Sequence, residues 1–239
     1  MAEQQRIAVI LDQAEVLRAK RRHALAKLDT LTQSLFLDLF GDPVNNLKGW
    51  PKQPLGKLMN IRRGSSPRPI EQFLGGTINW IKIGDATSGD DIYISHCADK
   101  IIEGGLKKTV YLKAGSLIFA NCGVSLGFAR ILKIDGCIHD GWLSLADVPE
   151  DRLDKLFLLK ALNAITTRFR KMAPEGTQPN LNTDLIKSFP IVLPPLPLQH
   201  EFTAQVSAVE RLKAAQRASL AKLAALFASL QHRAFRGEL

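Results

Sequence analysis

At 239 residues with 46% hydrophobic content, the chain carries enough apolar material to bury a core, which excludes a disordered polyelectrolyte. A formal net charge of +9 and a pI near 9.6 favour a polyanionic partner, nucleic acid first. No apolar run reaches the ~18–20 residues of a membrane span and no charged-then-apolar leader opens the chain, so a cytoplasmic protein without membrane contact is expected.

Residues 3–40 contain no Pro or Gly and repeat apolar or small side chains at helical spacing, which predicts one helix of roughly 35 residues ended by Gly41 and Pro43. Within it Ala14, Leu17, Arg21, Ala24, Leu28, Leu31 and Leu35 fall at alternating three- and four-residue steps. This is the a/d pattern of a coiled-coil seam, with Arg21 as a polar layer that sets register or simply faces solvent.

From Trp50 to Pro190 the period changes. Ile78–Ile83, Ile92–Ser95, Thr109–Leu112, Ser116–Ala120, Phe128–Ile134 and Trp142–Leu145 are short apolar runs punctuated by Gly, Asp and Asn, and they read as strands joined by turns. A single helix is predicted over Leu153–Met172. Residues 43–198 hold 20 Lys/Arg against 14 Asp/Glu, whereas residues 1–42 hold 6 of each, so the surplus charge lies mainly in this middle domain. The three cysteines, Cys97, Cys122 and Cys137, are odd in number and lack paired C-x-x-C spacing, and neither disulfides nor a zinc site is expected.

Four middle-domain segments suit DNA. Ile61 to Pro69 places Arg62, Arg63 and Arg68 with Ser65 and Ser66 on a Gly/Pro-shaped loop, able to hold phosphates or pair with guanine edges. Lys107 and Lys108 add charge. Asn121 and Ser125 lie in Asn121–Gly127, and Thr177, Gln178, Asn180 and Asn182 in Gly176–Asn182; amides suit adenine edges. Each segment has a structural alternative, a solvated basic turn for the first and a cap for a helix near Leu185 for Asn180 or Asn182.

After the breakers Pro194-Pro195-Leu196-Pro197, residues 199–235 repeat the features of the first helix, with Gly237 just past their end. An offset of 195 residues gives 13 identities over the 39 positions 4–42, including Gln4 with Gln199, Glu15 with Glu210, and Leu25-Ala26-Lys27-Leu28 with Leu220-Ala221-Lys222-Leu223. Duplication explains this better than shared composition. The equivalent seam is Val209, Leu212, Gln216, Ser219, Leu223, Leu226 and Leu230, which places Gln216 opposite Arg21 in the alignment. The organisation is thus a helix over 1–42, a domain over 43–198 and a helix over 199–239. The fold class is α+β, a mixed α/β domain flanked by two long coiled-coil-forming helices.

Glu3-Gln4-Gln5-Arg6-Ile7-Ala8, Ser34-Leu35-Phe36, Phe40-Gly41-Asp42-Pro43, Gly176-Thr177-Gln178-Pro179-Asn180-Leu181 and Ile191-Val192-Leu193-Pro194-Pro195-Leu196 resemble type I restriction-modification specificity subunits over nearly the whole chain. The resemblance implies a target-recognition domain that reads half of a split site in double-stranded DNA, with no catalysis and no cofactor of its own. It further implies helices that set the spacing between halves, and methylation and restriction subunits as partners. One recognition domain is half of the family pattern, so a half-subunit or a piece of a longer one is implied. A half can rebuild the whole as a homodimer.

Enzyme motifs are missing by sequence. The Pro-Pro of Leu193-Pro194-Pro195-Leu196 lacks the Asn or Asp of an amino-methylase, and neither a Walker loop nor a dinucleotide Gly turn is present. His139-Asp140 with Cys137 could be imagined as a nucleophile-base pair, and Asp85, Asp90 and Asp91 as metal ligands, but structural roles are favoured. A self-contained DNA-modifying enzyme and a coiled-coil protein scaffold remain the alternatives to a DNA-specificity module.

Overall fold

A computed structural model describes residues 2–87, 90–173 and 180–236. Among them the elements run α1 (Ala2–Phe40), β1 (Lys52–Pro54), α2 (Leu55–Leu58), β2 (Asn60–Arg63), β3 (Leu74–Ile81), β4 (Tyr93–Ile94), β5 (Asp99–Ile101), β6 (Val110–Leu112), β7 (Leu117–Ala120), β8 (Ala129–Leu132), β9 (Gly136–Ile138), β10 (Trp142–Ala146), α3 (Lys155–Ala164), α4 (Thr166–Met172), α5 (Thr183–Ser188), β11 (Pro190–Val192) and α6 (Leu196–Phe235). The chain divides into two compact units, residues 1–38 with 201–239, and residues 39–200.

In the first unit the two long helices pair antiparallel. Arg21 donates to Gln216 at 2.8 Å, Lys213 meets Asp29 at 2.7 Å, and the Phe36 ring stands edge-on to Phe202 at 5.6 Å. The Arg18 guanidinium lies 4.8 Å over Phe227. Partners thus fall along α6 as they rise along α1. The two polar seam residues that the repeat aligns are the two that meet, so a local two-fold relation passes through the Arg21–Gln216 layer. The duplication extends to ion pairs within each helix, Arg18–Glu15 at 2.5 Å and Lys213–Glu210 at 2.8 Å, both three residues apart.

The seam itself differs from its sequence pattern. Leu28, Leu35, Leu223 and Leu230 are half-buried with Arg21 and Gln216, but Leu17, Leu31, Leu212 and Leu226 are 47%, 42%, 54% and 52% exposed. The alternate inward positions fall one residue later, at Arg18, Leu25 and Thr32 on α1 and at Lys213, Leu220 and Phe227 on α6. Polarity hid them. Thr32 is buried and hydrogen-bonds Leu28 O at 3.4 Å, and Lys213, 1% exposed, is held by Asp29 and Glu210. Long charged side chains can fill apolar space with their stems when the head group is paired.

The second unit is built from sheets. A five-stranded sheet runs β2-β10-β7-β8-β4, a four-stranded sheet runs β5-β3-β9-β6, and β1 pairs with β11. Ile81, Val110 and Ile138 from the smaller sheet pack with Ile94, Ile118, Ala120, Leu132 and Trp142 from the larger one. Strand alternation sends Trp80 and Cys137 to the opposite face, where they cluster with Ile101. β7, Leu-Ile-Phe-Ala, is buried at all four positions, as expected for a strand covered on both sides. Its Phe119 meets Phe169 of α4 at 5.0 Å.

The helix expected over Leu153–Met172 is divided at Ile165 (φ −108°, ψ 15°). Asp154 caps α3 by accepting from the Leu156 and Phe157 amides, a favourable N-terminal arrangement. At the break, Asn163 Oδ1 accepts from Ala129 N at 2.7 Å and Thr166 Oγ1 donates to Gly127 O at 3.1 Å. Side-chain bonding to β8 and its entry loop thus replaces helix continuity. Each expected strand overlaps an observed one, whereas β1, β2, β5, β9 and β11 are short and interrupted by polar residues, Gly or Pro, which leaves no apolar run to read.

Two outcomes test these contacts. Lys213→Met should be near neutral, while Asp29→Ala with Glu210→Ala, stripping two carboxylates from a buried ammonium, should cost about 2–4 kcal/mol in urea denaturation; the reverse order refutes the account. Gly127 has φ +92° and would place a Cβ 2.9 Å from Thr166 Cγ2, so Gly127→Ala should destabilise by about 1–3 kcal/mol.

Candidate nucleic-acid interface

The arginine segment leaves the end of β2, whose Arg62 and Arg63 pair in register with Ser144 and Leu143 of β10. Ser144 Oγ donates to Arg62 O at 3.1 Å. At Gly64 the chain presses against the turn after β9, where a Cβ would lie 2.3 Å from His139 O. Only glycine fits there, and Gly64 N donates to Trp142 O at 2.8 Å.

Asp140 ties the segment down. Ser66 Oγ donates to its carboxylate at 2.9 Å, Arg63 Nε donates to its backbone carbonyl at 2.7 Å, and Arg68 lies 3.8 Å from Oδ2. His139 Nε2 is 3.0 Å from Oδ1, and Gly141 N donates to His139 Nδ1 at 3.0 Å. That pattern assigns the proton of neutral His139 to Nε2. Burial holds the His139 pKa below the usual imidazole value, with Asp140 pulling the other way.

The other loops attach to the same turn. Asn121 N donates to Gly141 O at 3.0 Å and Leu181 N donates to Asn121 O at 2.8 Å, which brings in Asn121–Gly127 and Asn180–Leu181. Ser65 Oγ donates to Lys108 O at 2.9 Å, and Thr109 Oγ1 donates to Ser65 O at 2.6 Å. These segments thus meet around one turn, and Arg62, Arg63, Arg68, Lys107 and Lys108 on them are all exposed. Beside it Ser66, Arg68, Trp80, Lys82, Asp99 and His139 line a small cavity of about 170 Å³.

The predicted site residues divide by burial. Asn121 and Ser125 are 0% exposed and serve the loop itself. Asn121 Nδ2 donates to Asn180 Oδ1 and Leu181 O, each at 3.2 Å, and Ser125 Oγ donates to Ile83 O at 3.2 Å. They cannot reach a ligand without unfolding their loop, so the expectation of direct contact is withdrawn. Asn182 caps α5 by accepting from Leu185 N at 2.7 Å, and Asn180 is exposed. Thr177 and Gln178 lie outside the described residues.

Asp140, His139 and Lys82 join this site without any sequence signal that places them there. The Asp140-Gly141 pair signals a turn, but nothing local shows that the arginine segment packs on it. The imagined nucleophile is unsupported, since Cys137 is fully buried and burial pushes its thiol pKa up to about 11. The suggested acids are occupied by local structure. Asp85 accepts from Lys82 N and Asp90 from the Ile92 and Tyr93 amides, while Asp91 pairs with Lys160 at 2.6 Å. Among the described residues no group of His, Cys, Asp and Glu is placed to hold a metal. No helix there is long and apolar enough to cross a membrane.

The chain is similar to several solved structures. The HsdS subunit from Thermoanaerobacter tengcongensis matches 100% of this chain and 59% of its own length at 24% identity, TM-score 0.63. The S subunit of the type I restriction-modification system from M. genitalium matches 96% and 60% at 17% identity, TM-score 0.60. A third structure, described by complex assembly and conformational transition of the type I R-M system, matches 98% and 58% at 22% identity, TM-score 0.69. These likenesses show the fold, and the chain spans about three fifths of each match. A family model, the type I restriction modification DNA specificity domain, matches residues 47–223, which run from the loop after α1 through the sheet unit into α6. The chain therefore belongs to the type I restriction-modification DNA specificity family.

Proposed function

We propose that the chain is the non-catalytic, sequence-reading part of a type I restriction-modification complex, acting in the cytoplasm on double-stranded DNA. Its sheet unit contacts one half of a bipartite site. The observation that carries this is the convergence of separately recognised loops around the Asp140–Gly141 turn, with Arg62, Arg63, Arg68, Lys107 and Lys108 exposed on them. Such a cluster can neutralise phosphates, and arginine forks can also pair with guanine in the major groove.

The helical unit is the docking element for methylation and restriction subunits and for a second copy of the chain. Its seam is engaged within the chain, so the homodimer expected from sequence rests on other residues. Exposed Leu17, Leu31, Leu212 and Leu226 form two repeat-related pairs, a stripe that a two-fold partner can cover.

Two experiments test the proposal. Replacing Arg62, Arg63 and Arg68 with Ala should weaken DNA binding in fluorescence anisotropy and flatten its salt dependence by ~0.9 in log-log slope for every phosphate no longer neutralised. Unchanged binding across salt concentrations overturns the interface. For assembly, light scattering should give a dimer mass that Leu17→Asp with Leu226→Asp reduces to monomer. A monomeric wild-type chain whose stripe variant loses methylation-subunit binding assigns the stripe to that partner instead.

A further inference from the structure

We infer that Val124 is a specificity-determining residue that reads the 5-methyl group of a thymine, an inference that rests on the DNA-recognition function proposed above. Val124 is 86% exposed, in a loop whose flanking Ser125 and Leu126 are 0% exposed. An isolated exposed valine is ordinary. What distinguishes this one is how firmly it is presented.

Gly123 (φ +68°) and Gly127 (φ +92°) set the loop's turns. Leu126 N donates to Gly123 O at 3.1 Å and Gly127 N to Ala120 O at 2.9 Å. Ser125 Oγ holds Ile83 O. From outside, Arg170 donates through Nη2 to Val124 O at 3.0 Å and through Nε to Leu126 O at 3.2 Å. The backbone is thus fixed on both sides of Val124, and a β-branched side chain has little rotamer freedom of its own. Pre-organisation of this kind places a contact at low entropic cost.

Location and chemistry point to the ligand. The loop is hydrogen-bonded to the Asp140–Gly141 turn that holds the arginine segment. An isopropyl group offers no hydrogen bond to phosphates or to the polar base edges. Thymine is the base that presents an apolar group in the major groove, its C5-methyl. The groups that hold the loop and its neighbouring turn include the cations Arg170 and Arg63, chemistry suited to a polyanion.

The test uses the full chain. A preferred duplex is selected from random double-stranded DNA, and each of its thymines is replaced in turn by deoxyuridine, which lacks only the methyl. One replacement should weaken wild-type binding roughly fourfold, the effect of unburying one methyl group. Val124→Ser should bind the thymine and deoxyuridine duplexes equally, and Val124→Ala should fall between, both with unchanged melting temperature. Insensitivity at every thymine, or sensitivity that survives in Val124→Ser, overturns the inference while leaving DNA recognition standing. So does a Val124→Ser chain with normal DNA affinity but weakened binding to the methylation subunit. Absence of DNA binding by wild type even at low salt overturns both.

Discussion

The approach of residue 64 to the His139 carbonyl is the constraint on which the basic edge depends. With hydrogen as its side chain, Gly64 lets β2 run directly into the turn after β9, so the following Ser65–Arg68 stretch lies against Asp140 rather than out in solvent. Asp140 then serves three cationic or hydroxyl groups at once. A carboxylate among like charges lowers their mutual repulsion, which keeps several guanidinium groups on one edge without splaying them apart. Because Asn121 is hydrogen-bonded to the adjacent Gly141, the same turn also sets the position of the Val124 loop. Loss of that close approach would disperse the interface without touching a single exposed residue.

The helical unit shows a second economy. Its inward positions on α6 are those of α1 moved by the repeat offset, so one ancestral seam packs against a reversed copy of itself. A self-paired sequence places equivalent residues together only at the crossing point, where Arg21 and Gln216 meet. A polar pair there fixes register, since sliding either helix by one turn would separate the two groups and lose their hydrogen bond. Divergence is tolerated elsewhere. Lys213 acquires Asp29, while its counterpart Arg18 stacks on Phe227.

Much of this is legible in the sequence because it follows from local chemistry. The long helices lack breakers beyond Pro197 in the first turn of α6, the strands read from sequence have apolar runs, and the cap at Asn182 follows a known preference. The internal repeat by itself aligns Arg21 with Gln216. What is not legible depends on tertiary placement. Leu17 reads as seam and Arg18 as surface by polarity, yet the helix turns the other way because Arg18 finds both Glu15 and Phe227. Asn121 and Ser125 have the chemistry of base-reading residues, but their hydrogen bonds go to Leu181 and Ile83, partners that lie 60 and 42 residues away in sequence.

That difference has a physical lesson about the recognition edge. The side chains that shape its loops, Asn121, Ser125 and Asp140, are buried or half-buried and bond to protein atoms. Those that face outward, Arg62, Lys108 and Val124, sit on backbone whose carbonyls Ser144, Ser65 and Arg170 hold. Substitutions in the first set remove hydrogen bonds from the interior and carry a desolvation cost. Substitutions in the second set change only what is presented. Under the proposed DNA-reading role, a domain divided in this way alters its preferred sequence by exchanging a few exposed side chains while its stability stays nearly constant, because contact and support reside in different residues.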